Sequence, residues 1–224
     1  MFFPSGNTII MKTNDFVDIL RYTKELFPQV KRITIYGSAQ YIVRKGLENM
    51  KKIAQAGLSR IHVGLESGDD VTLARVQKGS TSDIQIKAGD IVKKAGIDLS
   101  EYIILGLGGK ERTKEHIKET VKVLNRINPN FIRIRTFLPK INTPMLEDIN
   151  TGKFKILLPH EVLQETYDLI NGLDVISRVF SDHYTNYVMV SGKLPEDRNR
   201  MLNEIEHALK RDESCFRDVY IGKE

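Results

Sequence analysis

The stretch SRIHVGLESGDDVTLARVQKGST, residues 59–81, decides the fold. It opens as a short apolar strand, ends in a carboxylate at Glu66, breaks at Ser67-Gly68 and restarts as a helix at Asp69. A strand that runs through a polar turn straight into a helix is the repeating step of an α/β protein. In that class ligands collect where strands finish at their carboxyl side. Lys78-Gly79-Ser80-Thr81 then separates this short helix from a longer one.

The same step recurs on both sides. Upstream, FF is the end of a strand, TNDFVDILRYTKELFP (13–28) a helix capped by Thr13 or Asn14 and stopped by Pro28, KRITIYG (31–37) a strand, and QYIVRKGLENMKKIAQAG (40–57) a helix ended by Gly57. Downstream, TSDIQIKAGDIVKKAG (81–96) is a helix closed by Gly96, LSEYIILGLG (99–108) a strand, TKEHIKETVKVLNRIN (113–128) a helix and NFIRIRTFLP (130–139) a strand. The strands are nearly continuous apolar runs, as parallel strands covered by helices require. About five strands alternate with about four helices before residue 140. That pattern predicts α/β, as a doubly wound sheet or a (β/α) barrel.

After Pro139 the rhythm changes. Residues 140–159 form a loop with one helical turn, HEVLQETYDLINGL (160–173) a helix, RVFSDHYTNYVMVSGKLP (178–195) an irregular segment and EDRNRMLNEIEHALKRD (196–212) a second helix. Residues 1–140 are expected to form the barrel and 141–224 a mostly helical extension packed on it.

Composition bounds the remaining classes. The chain has 224 residues, 41% hydrophobic and 28% charged, enough to bury one large core. Apolar runs such as YIILGL are too short to span a bilayer, so no membrane partner is expected. The first residues lack the basic start and apolar run of a signal peptide. Cys215 is the only cysteine, which excludes a disulfide framework and suits a cytoplasmic location. The net charge of +5 is spread over helix faces and paired with acids, without interleaved aromatics, which argues against a nucleic-acid partner.

Five strand ends carry small or polar residues directly after apolar ones. They are Ser5-Gly6-Asn7, Gly37-Ser38, Glu66-Ser67-Gly68, Gly106-Leu107-Gly108-Gly109 and Thr136 through Pro139. Together they predict one cleft suited to a nucleotide-like small molecule. Glu66 either accepts from ribose hydroxyls or an ammonium, or caps the helix beginning at Asp69. GLGG lacks the third glycine of a dinucleotide turn and the lysine-serine pair of a P-loop. His62 either points into the barrel or packs outward on a helix, and packing is the expectation. His183, with Asp182, Tyr184 and Asn186 beside it, is a substrate or metal contact or a structural residue.

The apolar-GLESG motif, the V-x-KG-x-T that follows it, YIILGLGG and RTFLPKINTP together resemble the second half of the radical S-adenosylmethionine superfamily. FFPSGNTIIMKTNDFVDILRYTKELFPQVKRITIYGSA is similar to the preceding part of that barrel. The resemblance covers roughly residues 1–150 and implies a partial (β/α) TIM-like barrel. It also implies an enzyme in which a three-cysteine CxxxCxxC loop holds a four-iron, four-sulfur cluster. The cluster binds S-adenosylmethionine and reduces it to a 5′-deoxyadenosyl radical that attacks an unknown substrate.

Carried over by position, the resemblance puts Ser5, Gly6 and Asn7 at the motif that meets the methionine amino group, with Asn7 where relatives have a carboxylate. It turns Ser38 and Glu66 toward the ribose and methionine moiety, makes Glu66-Ser67-Gly68 the floor of a nucleoside site, and sets Lys78 against the methionine carboxylate, an ordinary exposed lysine being the competing reading. The segments around Gly106 and Gly108 and from Leu138 to Lys140 would border the adenine. The chain departs from the pattern in having no CxxxCxxC. A lone cysteine holds no cluster, so this chain by itself is expected to be inactive. It begins at what corresponds to the second strand, so a truncated barrel is expected, whose open edge predicts a dimer or a partner chain. The alternative function is a non-catalytic scaffold or interaction module.

Overall fold

A computed structural model describes residues 1–218 of the chain. Its centre is a seven-stranded sheet: β1 (Phe2–Phe3), β2 (Ile33–Gly37), β3 (Leu58–Glu66), β4 (Asp98–Leu105), β5 (Phe131–Thr136), β6 (Arg178–Phe180) and β7 (Gly192–Lys193). The strands lie in sequence order, parallel from β1 to β6, and β7 turns back antiparallel. A doubly wound sheet reverses its order at a switch point. Sequential order without reversal, with right-handed crossovers, puts every helix on one face, which is barrel winding.

The helices are α1 (Thr13–Leu26), α2 (Ala39–Ala56), α3 (Asp70–Arg75), α4 (Ser82–Lys94), α5 (Gly109–Ile127), α6 (Pro144–Asn150), α7 (Pro159–Gly172) and α8 (Arg198–Leu209). Successive helices α1, α2, α4, α5 and α7 pack side by side as an outer layer. Thr81 caps α4 through its side chain, and Gly57, at φ 123°, ends α2.

Strand alternation divides the sheet into two unlike faces. Ile35, Ile61, Val63, Leu65, Leu99, Ile103 and Ile134 point toward the helices and are fully buried, each contributing roughly 1.5–3 kcal/mol. The alternate residues, among them Tyr36, His62, Tyr102, Arg133 and Phe180, line the opposite, concave face and are only half-buried.

The segment expected to be irregular contains β6, which pairs with β5 over Phe131–Arg133. The rest of SDHYTNY folds back on the end of β5. Asn186 bridges the Ile134 carbonyl and Thr136, and Thr185 accepts from the Thr136 amide. His183 contacts Thr185 at 2.8 Å. Among the described residues no helix is long and apolar enough to cross a membrane.

Candidate functional site

At the carboxyl ends of β1 to β5 a cavity of about 350 Å³ opens on the concave face. It is lined by Gly6, Tyr36, Gly37, Ser38, His62, Gly64, Glu66, Lys78, Tyr102, Ile104 and Arg135. Its size falls within the ~300–1,000 Å³ of small-molecule sites.

Glu66 is the centre of the rim. The β3–β4 register shifts between Gly64 and Glu66, and Glu66 adopts φ 62°. A bulge combined with a left-handed non-glycine residue re-aims a side chain at some cost in strain. Lys78, carried by the turn between α3 and α4, donates to Glu66 Oε1 at 2.9 Å. A Cβ on Gly64 would sit 2.1 Å from Glu66 Oε1 and 2.7 Å from Lys78 Nζ. Glycine at 64 is therefore what admits the pair. On the other side of the cavity, Asn7 Nδ2 donates to Ser38 Oγ at 2.9 Å, and the Ser38 amide donates to Asn7 Oδ1 at 3.1 Å. That reciprocal bond ties the loop after β1 to the start of α2.

The turn behind Glu66 is pinned from below by α5. His116 is buried, with Nδ1 2.8 Å from Ser67 Oγ and Nε2 3.1 Å from the Ile104 carbonyl. Burial drives its pKa down to about 4, so the ring is neutral at pH 7, and Nε2 donates to the carbonyl while Nδ1 accepts from serine. Thr120 accepts from the Gly68 amide at 2.8 Å. Arg112 grips Asp69 through Nε and Nη2, both at 2.8 Å, and Asp69 also caps α3 at Thr72. The helix cap is thus Asp69, which leaves Glu66 for the cavity.

A second carboxylate works one layer further out. Glu165 on α7 accepts from the Gly106 amide and from Thr113 Oγ1, both at 2.6 Å, and so fixes the turn after β4. Beneath the rim on the helix side, Glu101 is fully buried, with Oε2 lacking a hydrogen-bond partner among the described residues.

The residues anticipated from sequence therefore separate into groups. Gly6, Ser38, Glu66 and Lys78 line one cavity, and Asn7 orients Ser38. Ser67 is completely buried and faces His116. Gly106 is occupied by Glu165, and Gly108 packs against His116 and Arg112. Ser5 is exposed and Leu138 half-buried, and neither is among the cavity's lining.

His62 was expected to pack outward on a helix. It lies instead on the concave face, between Tyr36 and Tyr102, with ring centroids 5.5 Å from each. Its register opposite Tyr36 and its even spacing from Gly64 put it there. Burial, with Arg133, Arg60 and Arg32 nearby, lowers its pKa to about 4.

Chemically, a carboxylate and an ammonium in contact at a cavity rim can receive the ammonium and carboxylate of a zwitterion, beside a hydroxyl, three glycines and an apolar patch at Ile104. These residues fit an amino-acid-bearing nucleoside. They do not fit an iron–sulfur cluster. Cys215 is exposed in a turn at Glu213–Cys215, and among the described residues no group of three or more His, Cys, Asp or Glu is placed to hold a metal.

Comparison with known proteins bears on the fold and the family. The chain is 25% identical over 126 residues to an uncharacterized protein of Methanocaldococcus jannaschii, covering 54% of this chain and 33% of that protein. A second uncharacterized protein of the same organism is 28% identical over 155 residues, covering 67% and 47%. The matched stretches span less than half the length of these relatives. In fold, the chain is similar to the archaeal Elp3 of Methanocaldococcus infernus with an N-terminal deletion, at TM-score 0.65 and 18% identity over 94% of this chain and 54% of that one. It is also similar to coproporphyrinogen III oxidase (HemN) of Escherichia coli, a radical SAM enzyme, at TM-score 0.56 and 16% identity over 74% and 38%. Enzymes of that superfamily bind S-adenosylmethionine and a four-iron, four-sulfur cluster. The Radical SAM superfamily model matches residues 4–124, more than half of the sequence, and the chain belongs to that superfamily.

Proposed function

We propose that the cleft binds S-adenosylmethionine, with Glu66 receiving its ammonium and Lys78 its carboxylate. The observation that carries this reading is the Glu66–Lys78 pair at the rim, 2.9 Å apart and about one-fifth exposed on each side chain. Opening one ion pair to form two with the zwitterionic methionine end of the ligand adds no net charge at this pair, and each new contact is charge-assisted. Ser38, held by Asn7, offers a hydroxyl to the ribose, and Ile104 an apolar contact to the base. Ser67, Gly106 and Gly108 act one layer back, by holding the backbone that carries these groups.

The cluster that gives this superfamily its radical chemistry has no seat among these residues. The reading is therefore of a cofactor-binding portion whose thiolates lie outside these 224 residues. The solitary, exposed Cys215 favours a second reading, a scaffold that binds the nucleoside without radical chemistry.

Calorimetric titration of S-adenosylmethionine into the wild type, Glu66→Gln and Lys78→Met tests the site. Each variant is expected to bind about tenfold or more weakly, the loss typical of a charged hydrogen bond. Unchanged affinity in both variants would remove the cleft as the cofactor site. Anaerobic reconstitution with iron and sulfide is expected to leave no four-iron signal on this chain.

A further inference from the structure

Below the rim, the concave face carries a different chemistry. Tyr36, His62 and Tyr102, from β2, β3 and β4, form a triangle of rings, with His62 5.5 Å from each tyrosine and the tyrosines 6.5 Å apart. All three border the cavity and are half-exposed to it. Helix-facing residues of the same strands are fully buried, so this aromatic cluster is a wall of the cavity and not part of the core.

Arginines border the cluster. Arg60 is paired with Asp98 at 3.0 Å, and Arg133 lies 3.7 Å from Asp182. Arg135 differs. It lines the cavity, its guanidinium carbon lies 5.0 Å from the Tyr102 ring centroid, and among the described residues no carboxylate lies within ion-pair distance of it. His62 is neutral at pH 7, and its Nδ1 has no hydrogen-bond partner among the described residues. The wall therefore presents a cationic fork beside flat, polarizable ring faces, with no anion of its own.

We propose that this wall binds the substrate as a flat, aromatic or heteroaromatic anion, its carboxylate or phosphate on Arg135 and its ring against Tyr102, His62 and Tyr36. A guanidinium presents parallel donors matched to the two oxygens of a carboxylate or phosphate, and a half-buried one without a counter-charge gains most from such a partner. Aromatic rings favour edge or offset contacts with another ring at the spacings seen here. A neutral His62 keeps the wall's positive charge on the arginines. Calling this ligand the substrate rests on the cofactor reading of the rim; the pocket itself does not.

The test uses 4-hydroxybenzoate, phenyl phosphate and neutral 4-hydroxybenzamide, titrated into the whole chain and followed by saturation-transfer NMR on the ligands. At least one anion is expected to bind with a Kd near or below about 1 mM, a free energy within reach of one charged contact and one stacked ring. The two anions separate a carboxylate from a phosphate ligand. The benzamide and the Arg135→Gln variant are each expected to bind about tenfold or more weakly, and Arg135→Lys to fall between. Arg135→Lys and far-UV circular dichroism separate loss of the fork from loss of the fold. Equal binding of acid and amide, an unaffected Arg135→Gln, or no binding of either anion at about 10 mM overturns the proposal. Glu66→Gln is expected to weaken S-adenosylmethionine and leave the aromatic anion in place. If the wild type binds the anion through Arg135 but not S-adenosylmethionine, the pocket stands and the cofactor reading falls. The reverse result removes the pocket and leaves the cofactor reading standing.

Discussion

The Lys78 ammonium reaches the Glu66 carboxylate at 2.9 Å through the gap left by the absent side chain of Gly64. The two charged residues are 12 positions apart, yet whether they meet depends on a third residue that carries no functional group. Gly64→Ala should displace the far ends of two flexible side chains and leave the strand intact. The expected result is a melting temperature within about 4 °C of wild type, a cost near 1 kcal/mol for a chain of this size. S-adenosylmethionine affinity should fall about tenfold. Thermal melts with calorimetry check both, and normal affinity would show that the pair is not a ligand contact.

The buried His116 supports the turn from below. His116→Ala removes the acceptor of the Ser67 hydroxyl and the donor to the Ile104 carbonyl together and leaves a cavity under Gly108. The expected cost is about 3 kcal/mol, which lowers the melting temperature by roughly 6–12 °C. Arg112, which holds the neighbouring Asp69 independently, should keep α3 folded in this variant. A melt within a degree or two of wild type would mean that the histidine is incidental.

Stability should fall on both sides of mildly acidic pH. Burial pushes Glu101 up to about 8, opposed by Lys78 and reinforced by Glu66, and pushes Glu165 up to about 7 against its bonds from Thr113 and Gly106. Above the ordinary carboxylate range the folded chain keeps protons that the unfolded chain has lost, so this contribution declines as pH rises through 7 and 8. The opposite limb comes from His62 and His116, both lowered to about 4. Their contribution is complete above the usual histidine value and is lost as pH falls toward 4. Asp69 follows at still lower pH. Burial disfavours its charge, but Arg112 and Thr72 outweigh that and hold it at about 2. Between pH 6.5 and 8.5 the glutamates dominate, and Glu101→Gln should flatten most of that decline. Melting curves across pH with and without this substitution decide it, and an unchanged slope would refute the assignment.

Glu165 should separate shape from charge. Glu165→Gln can still accept from the Gly106 amide with its oxygen and turn its amide nitrogen to Thr113, whose hydroxyl can rotate to accept. Glu165→Ala leaves both groups without a partner, at about 1–3 kcal/mol each for buried donors. The alanine variant is therefore expected to melt well below the glutamine variant, and equal melts would contradict the bonding described.

The order of strands and helices could be read from the sequence because each strand is a short apolar run that ends at a glycine or small polar residue. Glu66 and Ser38 were visible for the same reason, as they stand where such runs stop, whereas Lys78, in the turn between α3 and α4, was marked only by the family resemblance. The aromatic–arginine wall was also there to be read. His62, Gly64 and Glu66 alternate with apolar neighbours, and Phe131, Arg133 and Arg135 alternate with Ile132 and Ile134. Treating these strands as continuous apolar runs hid that period of two. The Ser67–His116 and Gly106–Glu165 bonds span 49 and 59 positions. No local pattern marks them, because a buried histidine or glutamate on a helix looks like any solvated one until its partner is known. For β6, a three-residue strand carries too little periodicity to stand out from a loop.

Sequential strand order also decides how the cleft would breathe. Glu66 ends a nine-residue strand hydrogen-bonded on both flanks, to β2 and β4. Gly6 and Asn7 follow a two-residue strand that pairs, among the described residues, with β2 alone. Amide hydrogens of β3 and β4 should therefore exchange with solvent at the rate of global unfolding, and those around Phe3 by small local openings that cost far less. The pocket is built from the slowest-exchanging and the fastest-exchanging parts of one sheet, so a ligand would enter by displacing the Asn7 side while the Glu66 side stays fixed.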